Sequence, residues 1–265
     1  MSSFESRFER LELKYLIDES VAARVRHDIA PFCHPDEHNP PGGGPHAPRG
    51  YPISSLYLDS PGLALYQAKE RGDPERIKLR VRGYGNAPYA VVECKRRVAD
   101  VIDKTRVSVD RKDLERASHG LVDPGPDQPE ARHFLSDFAR RVAGVGAEPT
   151  LLLEYEREAW VSEVDHYARV TFDRHIEARR SASWTLDGDG GLPSRFDDHW
   201  RRDEEHRSVV LELKCHSCIP WWMTDLIRRH ALRRQSFSKY SIGIHLTGVE
   251  HGEDRITRRS ARWVQ

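Results

Sequence analysis

The sequence predicts an α+β fold: a β-sheet ionic on one face and apolar on the other, its apolar face covered by helices. Three observations lead there. Segments alternating polar and apolar residues with period two recur about eight times, the pattern of strands whose successive side chains point to opposite faces. The polar faces are biased in sign, holding Lys14, Lys78, Arg80, Arg82, Lys95, Lys104, Arg106, Arg157, Arg169 and Lys214 against mainly Glu12, Glu93, Asp173 and Glu212. Amphipathic helical segments fill the gaps. If such a sheet closes into a barrel, the ionic face points inward and lines a tunnel.

The first strand is "RLELKYLI" (10–17), with Arg10, Glu12 and Lys14 opposite Leu11, Leu13 and Tyr15. A helix follows over 18–32, capped by Asp18. "ISSLYLDS" (53–60) separates Ser55, Tyr57 and Asp59 from Leu56 and Leu58. Ser60-Pro61 and Gly72 then bound a helix over 60–72. "RIKLRVRGYG" (76–85) sets Lys78, Arg80 and Arg82 against Leu79 and Val81, and "YAVVECKRRV" (89–98) places Glu93, Lys95 and Arg97 on one face. "DKTRVSVD" (103–110) adds Lys104 and Arg106. A helix over 130–142 precedes "TLLLEYEREAWV" (150–161), a mixed strand with Tyr155 and Arg157 on one side and Glu154 and Glu156 on the other. "ARVTFDRHI" (168–176) and "VVLELKC" (209–215) complete the strands, and the last helix is expected over 220–232. The stretches 38–52 and 187–205 read as loops by composition. Neither separates two domains, so a single domain is expected, with its core at about 7–246.

Composition narrows the function. Lys+Arg and Asp+Glu each number 42 among 265 residues, so the basic surplus typical of nucleic-acid or membrane binders is missing. Any anion site therefore arises from local sorting of charge. No apolar run is long enough to span a bilayer and no leader peptide is recognisable, which points to a soluble, cytoplasmic protein. Four sparse cysteines fit a reducing compartment. Cys215 and Cys218 form one CxxC, but no second follows and Cys215 shares parity with Leu211 and Leu213, which favours packing over zinc. Trp221 and Trp222 are expected to cover the sheet rather than stack on adenine. "GGG" at 42–44 lacks the Lys-Ser/Thr of a phosphate-binding loop.

A cationic face with a few embedded carboxylates suits a highly charged phosphate chain and a hard divalent ion. Burying unpaired charge costs several kcal/mol per ion. Arg offers a planar fork and Lys a point charge to phosphate oxygens. Carboxylates such as Glu12, Glu93 and Glu212 suit Mg²⁺ or Mn²⁺.

The motifs "ELKYLI", "SSLYLDSPGLALY", "KLRVRGYG", "VVECKRRVADVIDKTR", "LLLEYEREAW", "ARVTFDRHI", "VVLELK" and "SFSKYSIG" occur in the order found in the VTC domain. This chain resembles that domain, the catalytic module of polyphosphate polymerases within the triphosphate tunnel metalloenzyme (CYTH-like) superfamily. The resemblance runs from about residue 7 to about residue 244. It implies an eight-stranded antiparallel β-barrel with a charged interior, covered outside by helices. Implied phosphate ligands are Lys14, Arg80, Arg82, Lys95, Lys104, Arg157, Arg169 and Lys239, with Lys214, Ser236 and Ser238 beside them and Glu212 as a metal ligand. Lys78 and Arg106 join them by the face argument. Lys14, Arg80, Arg82, Lys95, Arg157 and Lys239 are the candidates for catalytic contacts. The superfamily's opening Glu-x-Glu-x-Lys is here Arg10, Glu12 and Lys14, which resembles the VTC branch rather than a thiamine-triphosphatase or adenylyl cyclase.

The implied activity is transfer of the ATP γ-phosphate onto polyphosphate with Mn²⁺ or Mg²⁺. The alternatives are a tripolyphosphatase using the same ligands and a polyphosphate-binding module without turnover. Nucleic acid and direct membrane insertion are not expected.

Overall fold

A computed structural model of the chain describes residues 10–40, 50–99, 101–125, 127–165, 167–188, 192–196, 209–216 and 218–249. Residues 7–9 of the expected core, 41–49 of the first expected loop and most of 187–205 lie outside the described residues. The architecture is α+β. The strands are β1 (Arg10–Ile17), β2 (Cys33–Pro35), β3 (Tyr51–Asp59), β4 (Glu75–Tyr84), β5 (Tyr89–Val98), β6 (Val101–Asp110), β7 (Glu148–Ser162), β8 (Arg169–Arg180), β9 (Ser194–Arg195) and β10 (Val209–His216). The helices are α1 (Glu19–Ile29), α2 (Ala64–Arg71), α3 (Leu114–Ser118), α4 (Pro129–Val145), α5 (Trp221–Arg229) and α6 (Lys239–Thr247).

Eight strands form an antiparallel path in the order β1-β10-β8-β7-β3-β4-β5-β6, with β2 on β7 and β9 on β8. The chain gathers into two compact units. The first comprises Met1–Ile53, Glu154–Ile176 and Phe196–Phe237, and the second Ser54–Leu153, Glu177–Arg195 and Ser238–Gln265. Strands β3, β7 and β8 each contribute to both.

In the first unit, the apolar positions of β1, β8 and β10 share one face. Leu13, Tyr15, Val170, Phe172, Leu211, Leu213 and Cys215 pack with Ala22, Val25 and Ile29 of α1 and with Trp222, Met223 and Leu226 of α5. Burying each large apolar side chain stabilises by about 1.5–3 kcal/mol. Asp18 accepts a hydrogen bond from Val21 N at 2.7 Å and so starts α1. Trp222 is buried as expected and stacks on Phe32, whereas Trp221 is 70% exposed with its ring edge-on to Phe32.

The mixed pattern of β7 has a physical reason. Glu158 is buried, and its carboxylate accepts bonds from Arg26 (2.6 and 3.0 Å), Arg174 (3.0 Å) and Trp160 Nε1 (2.8 Å). A buried charge this fully bonded is tolerated without water.

The second unit repeats the plan. Leu79, Val81, Ala90, Val92 and Cys94 pack against Leu114 and Ala117 of α3 and Phe134, Leu135, Phe138 and Val142 of α4. Ser238 caps α6, its hydroxyl accepting from Ser241 N at 3.4 Å. Gly243 lets this helix approach β7 closely, because a Cβ there would lie 2.5 Å from Leu151 Cδ2 and 3.1 Å from Leu153 Cδ2. No helix among the described residues is long and apolar enough to cross a membrane.

Candidate functional site

Each unit carries one ionic face, and the two differ in composition. In the second unit, antiparallel registers stack charged residues in rows across β4, β5 and β6. Lys78 lies opposite Lys95, and Lys95 opposite Lys104. One register step away, Arg80 lies opposite Glu93, and Glu93 opposite Arg106. Like charges directly opposite each other destabilise a sheet. A row of three lysines is therefore a cost that a bound anion would relieve.

Glu93 anchors this face. It is buried, bonded by Arg80 Nε and ion-paired with Lys104 Nζ at 2.8 Å. Burial pushes its carboxyl up, but Arg80, Arg82 and Lys104 together hold it far below the usual carboxylate range. Lys104 keeps 38% of its side chain exposed, yet desolvation by its neighbours pulls its ammonium down to about 8, with Arg80 and Arg82 adding to the fall and Glu93 opposing it. Arg82 is buried and donates to Ser55 Oγ at 3.4 Å. Lys78 Nζ donates to Ser238 Oγ at 3.3 Å, joining β4 to the first turn of α6, where Lys239 sits. Arg106 is exposed and Lys95 half-buried.

One residue of this face was not among the sequence candidates. Tyr57 shares the polar side of β3 with Ser55 and Asp59, so its parity is legible, but an uncharged phenol adds nothing to a pattern of charge. Its hydroxyl accepts from Arg80 Nη1 at 3.3 Å, and Arg80 also lies over its ring. Burial alone would raise the phenol. Arg80, Lys78 and Arg82 outweigh burial and bring it down to about 8. The Tyr57 ring stacks on Tyr240 at 4.8 Å, and Tyr240 Oη donates to Asp59 Oδ2 at 2.5 Å. Asp59 also accepts from the amides of Leu65 and Tyr66, which fixes the start of α2.

The ionic face of the first unit is richer in carboxylates. Lys14 lies opposite Glu212, Glu12 opposite Lys214, Glu212 opposite Thr171 and Lys214 opposite Arg169. The Glu212 carboxylate meets Lys214 Nζ at 3.0 Å, Lys14 Nζ at 3.3 Å and Arg157 Nη2 at 4.0 Å. Arg157 in turn is gripped by the fully buried Asp173 through two 2.7 Å bonds. Burial disfavours the guanidinium charge, but Asp173 and Tyr155 overcome it, and the group stays protonated. Gly50 brings the backbone onto Arg157, for a Cβ there would lie 2.7 Å from Arg157 C and O.

Lys14 Nζ also donates to Phe237 O at 3.3 Å, and Gln235 N donates to Lys14 O at 2.9 Å. These bonds lay the segment holding Ser236 along β1, with the Ser236 side chain exposed. Arg169 is exposed and bonded to Asp36, which also accepts from His38. Asp36 had no signal in the sequence, since it sits in the chain following the short β2.

The residues present can be tested against a divalent ion. Among the described residues no three His, Cys, Asp or Glu side chains gather into a ready-made cage. Glu12 and Glu212 nevertheless both lie within ion-pair reach of Lys14 Nζ, at 3.9 and 3.3 Å. Beside Glu212, Thr171 Oγ1 is buried and has no hydrogen-bond partner. A hard ion that usually takes one or two carboxylates and completes its shell with water and substrate phosphate fits this donor set. Glu93 is likewise engaged by cations, Arg80 and Lys104, and it belongs to the other unit.

The sequence profile of the VTC domain matches residues 9–247. No curated protein matches the sequence. Among solved structures, the chain is similar to a candidate adenylate cyclase from Bacillus halodurans at 10% identity and a TM-score of 0.48, over 87% of this chain and 94% of that one. It is also similar to a candidate adenylyl cyclase from Hippeastrum, described as having a dominant triphosphatase activity, at 13% identity and a TM-score of 0.47, over 90% of this chain and 96% of that one.

Proposed function

Because this chain belongs to the VTC-domain family, we propose that it is a phosphotransferase that moves the γ-phosphate of ATP onto an inorganic polyphosphate chain. The observation that carries the phosphate reading is the cross-strand row Lys78, Lys95 and Lys104, flanked by Arg80, Arg82 and Arg106, in a chain of zero net charge. Such a face stabilises bound phosphate by charge-assisted hydrogen bonds. Tripolyphosphate and the β- and γ-phosphates of ATP share this chemistry.

Phosphoryl transfer asks for little covalent chemistry from the protein, so positioning and electrostatic stabilisation supply most of the rate. Asp173 holds Arg157 through a two-bond fork, and Arg80 is held by one bond to Glu93 and another to Tyr57 Oη. Both guanidiniums are thus preorganised before substrate arrives, which spares their reorganisation during the reaction. Lys14, Lys214 and Lys239 supply further point charges for phosphate oxygens. Glu212 and Glu12 would hold Mn²⁺ or Mg²⁺, which when bound would neutralise charge on the transferred group. The terminal phosphate of the acceptor chain is already an anion and needs no general base.

The deciding experiment incubates the protein with ATP and Mn²⁺ or Mg²⁺ and resolves polymer, nucleoside diphosphate and orthophosphate. Polyphosphate formed together with nucleoside diphosphate is the expected result. Orthophosphate alone would make the protein a hydrolase, and tight tripolyphosphate binding without turnover would make it a binding module.

A further inference from the structure

We propose that Tyr57 is a phosphate ligand, its buried phenol donating the hydroxyl proton to a non-bridging oxygen of the bound phosphate chain. The proposal rests on the phosphate reading of this face and adds to it a neutral donor.

The geometry of the phenol carries it. Tyr57 is 6% exposed, and its oxygen already accepts from Arg80 Nη1 at 3.3 Å. Among the described residues nothing accepts the hydroxyl proton of Tyr57. Buried hydroxyls normally find an acceptor. The groups named around it are cationic donors or acceptors already engaged elsewhere. From β4 come Arg80, Arg82 and Lys78, all donors without acceptor capacity. From α6 comes Tyr240, whose own hydroxyl is committed to Asp59, with Tyr66 of α2 packed edge-on against it at 6.3 Å. The carboxylate on the same strand, Asp59, is occupied by Tyr240 and by the amides that start α2. Glu93 is held by Arg80 and Lys104. A donor with no acceptor, fixed by a stacked ring and ringed by cations, is matched to an incoming anion.

The cationic setting also gives this donor a pH range. The phenol is brought down to about 8 by Arg80, Lys78 and Arg82 against the opposing effect of burial. As a phenol it offers a proton to phosphate; as a phenolate it offers only repulsion. Bound phosphate must therefore keep Tyr57 protonated, and above that pH binding must take up a proton.

Calorimetric titration of tripolyphosphate into wild type and Tyr57→Phe between pH 6.5 and 9.5 tests this, with melting temperatures measured on the same samples. The Phe variant keeps the stack on Tyr240. It is expected to bind about tenfold more weakly at pH 7, and the gap should close above pH 8.5 as the wild-type phenol ionises. Equal affinities and equal pH slopes would overturn the Tyr57 assignment and leave the phosphate site standing. Wild type that binds no tripolyphosphate at all would overturn the phosphate reading and this proposal with it.

Proton uptake on binding at pH 8.5, measured in buffers of different ionisation enthalpy, gives an answer independent of the Phe variant. Lys104→Gln serves as background, so that the lysine makes no contribution. Net uptake beyond that of tripolyphosphate itself supports the assignment, and none overturns it.

Discussion

Asp173 grips Arg157 through two parallel bonds of 2.7 Å, Nε to Oδ1 and Nη2 to Oδ2, and no part of Asp173 reaches solvent. The pair therefore supports the fold as well as the site. Asp173→Asn takes from a mostly buried guanidinium its hydrogen-bonded counter-charge and leaves, among the described residues, only Glu212 at 4.0 Å, which should destabilise by about 3–5 kcal/mol. Arg157→Ala should cost a similar amount by removing the bidentate counter-charge of the buried Asp173. Arg106→Ala, at an exposed position on the other ionic face, should leave the melting temperature almost unchanged while weakening tripolyphosphate binding. Thermal melts of the three variants check this ordering; a destabilised Arg106→Ala beside an unaffected Asp173→Asn would refute it.

Glu93 should behave as a built-in substitute for substrate charge. Glu93→Gln removes the only carboxylate that touches both Arg80 and Lys104 among the described residues, and a loss of about 1–3 kcal/mol is expected at pH 7. Added tripolyphosphate should restore more stability to the variant than to wild type, because the anion replaces the missing charge. The pH dependence has a definite sign. The carboxyl lies well below its ordinary 4.5 in the folded protein, so its stabilisation is complete above that value and is lost as pH falls toward the folded one. Wild type should therefore lose melting temperature between about pH 5 and pH 3 more steeply than Glu93→Gln.

Much of this was legible in the sequence, for reasons visible in particular residues. The alternation over β4, β5 and β10 survives in the structure because each strand has a helix-covered apolar face, so parity alone assigns Leu79 and Leu213 to the core and Arg80 and Glu212 to the ionic face. The sequence does not show parity between strands. The rows Lys78–Lys95–Lys104 and Arg80–Glu93–Arg106 depend on register, which no single segment encodes. Helix α6 has no periodic signal because Tyr240, Ser241, Gly243 and Ile244 are all buried, which erases the one-sided pattern of an amphipathic helix. The short α3, β2 and β9 are below the length at which periodicity carries a signal. Strand β8 runs to Arg180, past the expected end at 176, with Glu177 and Ala178 pairing to β9.

Lys104 should give tripolyphosphate affinity a falling limb at alkaline pH. Desolvation by its neighbours, aided by Arg80 and Arg82, brings its ammonium from the ordinary 10.5 to about 8. Between these values the unfolded chain keeps a proton that the folded chain has released, so the stability of the ligand-free protein should rise with pH through that window. Affinity should move the other way, since a neutral amine cannot pair with phosphate. Lys104→Gln should bind more weakly at pH 7 and lose less affinity between pH 7 and 9 than wild type does. Parallel melts and titrations would expose an error if both quantities moved in the same direction.

Glu212 separates binding from turnover. Its carboxylate lies among Lys14, Lys214 and Arg157, so a purely structural role as their counter-charge is the competing account. Glu212→Gln keeps the shape but removes the charge. Under the structural account the variant loses melting temperature and keeps its metal-dependent turnover once it is saturated with substrate. Under the metal account, polyphosphate affinity is kept or slightly raised, because one carboxylate fewer repels the chain. Turnover then falls at least about a hundredfold, equivalent to about 2.7 kcal/mol of transition-state stabilisation. Manganese titration in the presence of tripolyphosphate adds a readout free of catalysis, and the variant should need much more metal to reach saturation. Glu12→Gln should reproduce the metal defect in milder form, as Glu12 is the more distant of the two carboxylates from Lys14 Nζ. Unchanged manganese affinity in Glu212→Gln, with turnover near wild type, would remove Glu212 from the reaction and leave it as the counter-ion of Lys14 and Lys214.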